Sequence, residues 1–272
     1  MALQFQDDLQ TTFAAWNMGC AALGQTNVTT NGKTAPIPGA IEILPTPTGD
    51  GPGYCSAVTP GDPITYGAIR AYMAYGREPA HNNGNAAERW YRWDWYFPPD
   101  FYANELISVM QFHDTPDSAE LPVVFPNFEF MAQGDDLWVW TPLSCTVRGS
   151  TPRYPPGHCI IKISSIRGRW LRCAIRCNWS NADDGFLEVY FDDTLIVRDW
   201  FRPNSYDDLI GPYWVVGIYD WTHSGLSREY KLWHRNVKIY NTGDTAETVL
   251  ETEPKLPPRR VVWQMIPSIE SS

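Results

Sequence analysis

The chain reads as an all-β protein, a curved sandwich of two antiparallel sheets, and three observations support this. Aromatic residues are abundant, with 13 Trp, 14 Tyr and 11 Phe, which favour strands. The 23 Pro and 20 Gly supply turns. Alternating apolar and polar segments follow one another along the chain with turn residues between them. At 272 residues and 43% hydrophobic content the chain can bury a full core as one domain. The expected division is a single sandwich domain over residues 1–240, opened by a segment over 1–20, followed by a Pro-containing arm over 241–272.

Taken in order, the first 20 residues fit either a short amphipathic helix carrying Leu9, Phe13, Trp16 and Cys20 or an opening strand. ITYGAIRAYMAYG (64–76) alternates as a strand. RWYRWDWYFPPD (89–100) does so more strongly, then stops at Pro98-Pro99. In that second segment Tyr91, Trp93, Trp95 and Phe97 share one face, and Glu88, Trp90, Arg92, Asp94 and Tyr96 share the other. ELISVMQFH follows, then PNFEFMAQGDDLWVW (126–140), where GDD marks a hairpin. HCIIKISS, GRWLRCAIRCNWS, GFLEVYFDDTLIVRDW, PYWVVGIYDW and EYKLWHRNVKIY each give a strand or a hairpin, with Asp192-Asp193 as the turn inside the third. Beyond Asn241 the chain passes through EPKLPPRR to an apolar VVWQMIP, an arm suited to docking on its own domain or on a neighbour.

Charge and motifs exclude several functions. A net charge of −10 argues against a nucleic-acid backbone as partner, since phosphate binding needs a cationic footprint. No apolar run approaches the roughly 20 residues of a membrane span, so membrane insertion is not expected. The opening MALQFQDDLQ places Asp7 and Asp8 where a secretory signal is basic and then apolar. The sequence therefore suggests either trimming or another route out of the cell, and an extracellular or virion-associated location. The six cysteines form no CxxC pair. On a strand, Cys173 and Cys177 lie on one face about 13 Å apart, too far to bridge. For the six, free thiols and one to three disulfides both remain open. GxSxG, HExxH, Walker A and GxGxxG are absent, and His81, His158, His223 and His234 lack metal-site spacing. No cofactor is expected apart from a candidate Ca²⁺ set in Asp183, Asp184, Asp192 and Asp193, which turn chemistry explains equally well.

What remains is polar residues on strand faces. Gln111 and His113 are two apart in a strand, so both project from one face about 7 Å apart. Tyr213, Val215, Gly217 and Tyr219 share a face of a later strand in the same way.

Gln111-Phe112-His113 and Tyr213-Trp214-Val215-Val216-Gly217-Ile218-Tyr219-Asp220-Trp221 resemble signature strands of the jelly-roll polysaccharide lyases. These are the alginate-lyase and heparin-lyase-I/glucuronan-lyase-like families, with a Q-x-H strand and a later Y-F-K-x-G-x-Y strand. RGRWLRCAIRCNWSNADDGFLEVYFDDTLIV (167–197) resembles their G-x-W, W-S and G-x-V-x-V-W-x-D-G pattern, and order and spacing agree over roughly residues 64–240. The resemblance implies a concanavalin-like jelly roll acting on an acidic, uronate-containing polysaccharide by β-elimination. It further implies that Gln111 holds the uronate carboxylate, that His113 is the base or assists neutralisation, and that Tyr219 is the acid or a combined acid and base. The family's Lys is Val215 here, and the Gln that often follows the second Tyr is Trp221. Its R-x-E-x-R strand has a degenerate counterpart in Ala86-Ala87-Glu88-Arg89-Trp90, with Arg92 as the candidate replacement cation. Glu88, Trp90, Arg92, Tyr96, Tyr213 and Trp221 complete the expected substrate-binding set, and Trp233 is a further candidate for stacking on sugar. A second reading keeps the same jelly roll without its chemistry. It is then a glycan-binding or structural module of a viral or cell-surface assembly, such as a phage capsid decoration or tail component.

Overall fold

The computed structural model describes residues 3–7, 27–30, 33–36, 41–62, 64, 68–75, 88–113, 126–140, 158–200, 203–206, 211–222, 225–240 and 244–250. In chain order the strands are β1 (Leu3–Asp7), β2 (Asn27–Thr30), β3 (Lys33–Pro36), β4 (Ile41–Pro45), β5 (Pro52–Val58), β6 (Arg70–Tyr75), β7 (Glu88–Tyr96) and β8 (Ala103–His113). There follow β9 (Phe128–Gly134), β10 (Asp136–Trp140), β11 (His158–Lys162), β12 (Trp170–Asn178), β13 (Phe186–Phe191), β14 (Thr194–Trp200), β15 (Tyr213–Asp220) and β16 (Tyr230–Tyr240). One helical turn, α1 (Ala246–Val249), follows the last strand.

Two antiparallel sheets face one another, as the all-β reading requires. The first runs β14-β13-β12-β7-β16-β5-β4, with β1 also paired to β16. The second runs β11-β10-β9-β8-β15-β6; β2 and β3 form a separate hairpin. β16 holds β7 on one side and two strands end to end on the other. β5 pairs with Tyr230 to His234, and β1 pairs with Val237 to Tyr240. The change of partner occurs at a bulge containing Asn236, whose φ is 54°.

Period two places the core. Tyr91, Trp93, Trp95 and Phe97 point inward from β7 and meet Phe112, Phe128, Phe130 and Trp214 from the other sheet. Tyr91 lies edge-on to Phe112 at 4.6 Å between ring centroids, Trp95 edge-on to Phe130 at 5.1 Å, and Trp93 edge-on to Trp214 at 5.6 Å. Truncating one of these rings to Ala removes roughly 3–5 kcal/mol. Cys173 and Cys177 both face this core, as expected from their spacing, and with Cys55 and Cys159 are free thiols. Cys20 and Cys145 lie outside the described residues. So do His81, His223 and all of the C-terminal arm beyond Leu250.

The turns follow their chemistry. Gly134, at φ 61°, ends β9 before Asp135, and Asp192-Asp193, at φ 46° and 62°, join β13 to β14. The first 20 residues supply a strand over Leu3–Asp7; the remainder of that segment lies outside the described residues. Asp192 and Asp193 are held in ion pairs with Arg169 and Arg172, each at 2.8 Å, and Asp184 accepts the Ser180 hydroxyl. These carboxylates serve turns rather than a Ca²⁺ set, and no group of three or more acidic, His or Cys residues suited to a metal occurs among the described residues. No helix there is long and apolar enough to cross a membrane.

Candidate active site

The outer face of the six-stranded sheet carries the polar residues. On β6, β15 and β9 alternate residues go to the core: Ala71 and Met73, Trp214, Val216 and Ile218, Phe128, Phe130 and Ala132. Their neighbours, Arg70 and Tyr72, Tyr213, Val215 and Tyr219, and Glu129, therefore project the other way. From β8 the same face receives Ser108, Gln111 and His113.

Register fixes the layout. Across β8 and β15, His113 faces Tyr213, Gln111 faces Val215, and Ser108 faces Tyr219. On the far side of β15, Tyr219 faces Arg70; on the far side of β8, Gln111 faces Glu129. Gln111 thus sits mid-way, with His113 about 7 Å along its strand in one direction and Ser108 about 10 Å in the other.

His113 is half-buried and lies flat against Tyr213, with 5.3 Å between ring centroids and 27° between planes. Gln111 is buried and its Oε1 has no hydrogen-bond partner among the described residues. Arg70 lies over the Tyr219 ring with Cζ 4.6 Å from its centroid, and its Nη1 donates to the Tyr72 hydroxyl at 3.3 Å. Burial pushes the Tyr219 phenol above its usual value of 10. Arg70 opposes this, and the carboxyls of Glu129 and Asp220 reinforce it. Tyr219 is therefore a phenol rather than a phenolate at neutral pH. Trp221 stands edge-on to Tyr219 at 5.9 Å and near Trp140 at 6.3 Å, closing one end of the face with aromatic rings.

Gly217 makes this packing possible. Its φ is 134°, and a Cβ there would sit 2.3 Å from the Ala71 carbonyl oxygen and 2.5 Å from Tyr72 Cα. Only glycine lets β15 approach β6 so closely, and that approach brings Arg70 onto Tyr219. Beside it Tyr72, Ala74 and Val215 form an apolar patch with Tyr213 at its edge.

Of the residues expected from sequence, Gln111, His113, Tyr213, Tyr219 and Trp221 come together on this face. Glu88, Trp90, Arg92 and Tyr96 do not: β7 belongs to the eight-stranded sheet, and these side chains project from its outer face, across the core. There Glu88 pairs with Arg176 at 2.7 Å, and Arg92 donates to the Val249 carbonyl at 2.7 Å. Trp90 packs with Tyr190, Val249 and Leu250. Tyr96 meets the Thr48 hydroxyl at 2.7 Å and stands edge-on to Trp233, which shares its cluster. Arg92 is therefore not on the face of Gln111 and Tyr219, whereas Arg70 is. Alternation along IRAYMAY places Arg70 and Tyr72 on one face, a signal that was available but had no partner strand to give it meaning. Glu129 was missed altogether. His234 is a core residue with neither ring nitrogen hydrogen-bonded among the described residues, and burial lowers its pKa to about 3.

The family model for polysaccharide lyases matches residues 16–238. The chain belongs to that family. Among solved structures, this chain is similar to an endo-β-1,4-glucuronan lyase from the fungus Trichoderma reesei, at 15% identity and a TM-score of 0.66, over 93% of this chain and 100% of that one. It is also similar to the family 7 alginate lyase A1-II′ (11% identity, TM-score 0.52, 78% of this chain and 86% of that one). An alginate lyase from Pseudomonas aeruginosa matches at 13% identity and a TM-score of 0.50, over 74% of this chain and 86% of that one. These likenesses establish the jelly-roll fold. No curated protein sequence matches the chain.

Proposed function

We propose that this polysaccharide lyase cleaves a uronate-containing glycan by β-elimination, with β-1,4-linked glucuronan as the first substrate to test. One observation carries the reading: an amide, an imidazole, a phenol and a guanidinium, from Gln111, His113, Tyr219 and Arg70, share one sheet face with Gln111 in the middle. The reaction needs the carboxylate neutralised so that the C5 proton becomes acidic, a base for that proton, and an acid for the departing O4. A uronate lying across Gln111 has the amide for its carboxylate, His113 on one flank and Tyr219 on the other.

In this reading His113 takes the C5 proton, and the released electron pair forms the C4–C5 double bond as C4–O4 breaks. Tyr219 gives its proton to O4, and the resulting phenolate is stabilised by the fixed charge of Arg70. The raised pKa of Tyr219 suits the acid, because it keeps the proton available at neutral pH. Val215 in place of the family Lys leaves the face apolar beside Gln111, which strengthens each remaining polar contact. The test is the ultraviolet absorbance of the unsaturated uronate product with glucuronan, alginate and heparin. A rise with any of them, lost in Tyr219→Phe, is expected; no rise with an acidic glycan of any kind sinks the proposal.

A further inference from the structure

Glu129 is a buried carboxyl inside the candidate site, with 1% of its surface exposed. On β9 it is the direct cross-strand partner of Gln111, and such pairs hold their Cβ atoms about 5 Å apart. From β10 its partner is Trp140, which offers no charge. From β8 it also meets the Ser108 hydroxyl, whose approach favours the ionised carboxyl and is outweighed by burial. Further along the face are Tyr219 on β15, with Arg70 behind it on β6, and His113 two residues beyond Gln111.

Three oxygens are orphaned at this spot among the described residues: Oε1 and Oε2 of Glu129, and Oε1 of Gln111. If Glu129 were ionised, the Gln111 amide nitrogen would turn to it, since a carboxylate only accepts. The structure has no such bond, because both Glu129 oxygens lack a donor. An amide that is to hold a carboxylate must present its NH₂ outward, which leaves its own oxygen in need of a donor at its back. The cross-strand neighbour of Gln111 on β9 is Glu129.

Resting on the elimination reading, we infer that Glu129 is a positioning residue: its carboxylic O–H donates to Gln111 Oε1 and so turns the Gln111 NH₂ group toward the substrate carboxylate. Loss of that proton reverses the amide. The NH₂ then serves Glu129, and the carbonyl oxygen faces the substrate carboxylate and repels it. Burial keeps the proton in place, raising the Glu129 pKa to about 8. The clamp is therefore set below that pH and released above it.

The experiment compares the wild-type chain with Glu129→Leu and Glu129→Gln on the cleaved glycan. Leu removes the donor, so KM rises about tenfold while kcat moves less, because the change is in carboxylate binding. Gln restores a donor to Gln111 Oε1 and recovers most of that loss at pH 7. It should also remove the alkaline fall in kcat/KM expected of the wild type near pH 8, well before Tyr219, raised above 10, can ionise. Thermal melting of both variants reports folding. A ¹³C NMR titration of glutamate-labelled wild type, assigned by Glu129→Gln, reads the proton without activity. A folded Glu129→Leu with wild-type KM, or a Glu129 carboxyl ionised at pH 6, overturns this inference while leaving the elimination reading intact. Wild-type protein that cleaves no acidic glycan sinks the elimination reading instead. The titration then judges Glu129 alone.

Discussion

Replacing His234 by Leu should remove one acid-sensitive contribution to the stability of the fold. His234 lies on β16 with its side chain in the core, beside Tyr54 at 5.9 Å between ring centroids. Its pKa falls from 6.5 to about 3 because burial penalises the charged ring. The unfolded chain takes up a proton as pH drops below 6.5, whereas the folded chain does not until about 3. Stability is therefore fully present above 6.5 and declines by about 1.4 kcal/mol per pH unit below it, reaching a loss of about 5 kcal/mol near pH 3. Urea unfolding of both proteins between about pH 4.5 and 7.5 isolates this contribution, because every other titrating group cancels in the difference. At the upper end His234→Leu should match or exceed the wild type, since two orphaned ring nitrogens leave the core. By pH 4.5 its advantage should have grown by about 3 kcal/mol. Parallel curves for the two proteins would refute the reasoning, by showing that the ring finds a partner or that the core admits its charge.

Other expectations are more direct. Gly217→Ala puts a methyl 2.3 Å from the Ala71 carbonyl at a φ of 134°, so a loss of about 3 kcal/mol or more is expected in chemical unfolding. Tyr219→Phe should lower kcat by roughly 10²–10⁴-fold with glycan binding retained, as for removal of a general acid, measured by product absorbance and by calorimetry. Arg70→Gln should cost about 10²-fold in kcat/KM. Arg92→Gln should leave activity unchanged while losing about 1 kcal/mol of stability with its bond to the Val249 carbonyl. Equal effects of the two Arg changes on turnover would contradict the placement of the site.

Much of the fold could be read locally, because period two and turn chemistry act over a few residues. The two faces of β7 separate as the alternation predicts, and Asp192-Asp193 turn the chain where two apolar runs meet. The β4–β5 hairpin was hidden by ILPTPTGDGPGY, where prolines and glycines read as loop. Pro45 and Pro52 form the last pair of that hairpin before its turn, where a missing N–H costs little. Partner choice was the real gap. β7 and β8 are neighbours in sequence yet belong to different sheets, so Arg92 and Gln111 point away from each other through a shared core. Nothing in the period of one strand tells which sheet it joins. Arg70 became visible as a site residue only once β6 was placed against β15. Glu129 alternates in NFEFMAQ with no motif beside it, and only the register with Gln111 singles it out.

The bulged last strand has a consequence for how the chain assembles. β16 is the common neighbour of β7, β5 and β1, so residues 230–240 splice together segments made at the start and middle of synthesis. Until they emerge, the β4–β5 hairpin and the β12–β13–β14 side of the sheet are two fragments, each with a bare edge and an uncovered aromatic face. Folding should consequently be slow and dominated by distant pairings, with the nascent chain most exposed to edge-to-edge association until β16 has emerged. A ribosome-bound chain ending at residue 229 should be cut readily by protease, whereas one with residue 240 clear of the exit tunnel should become resistant in a single step.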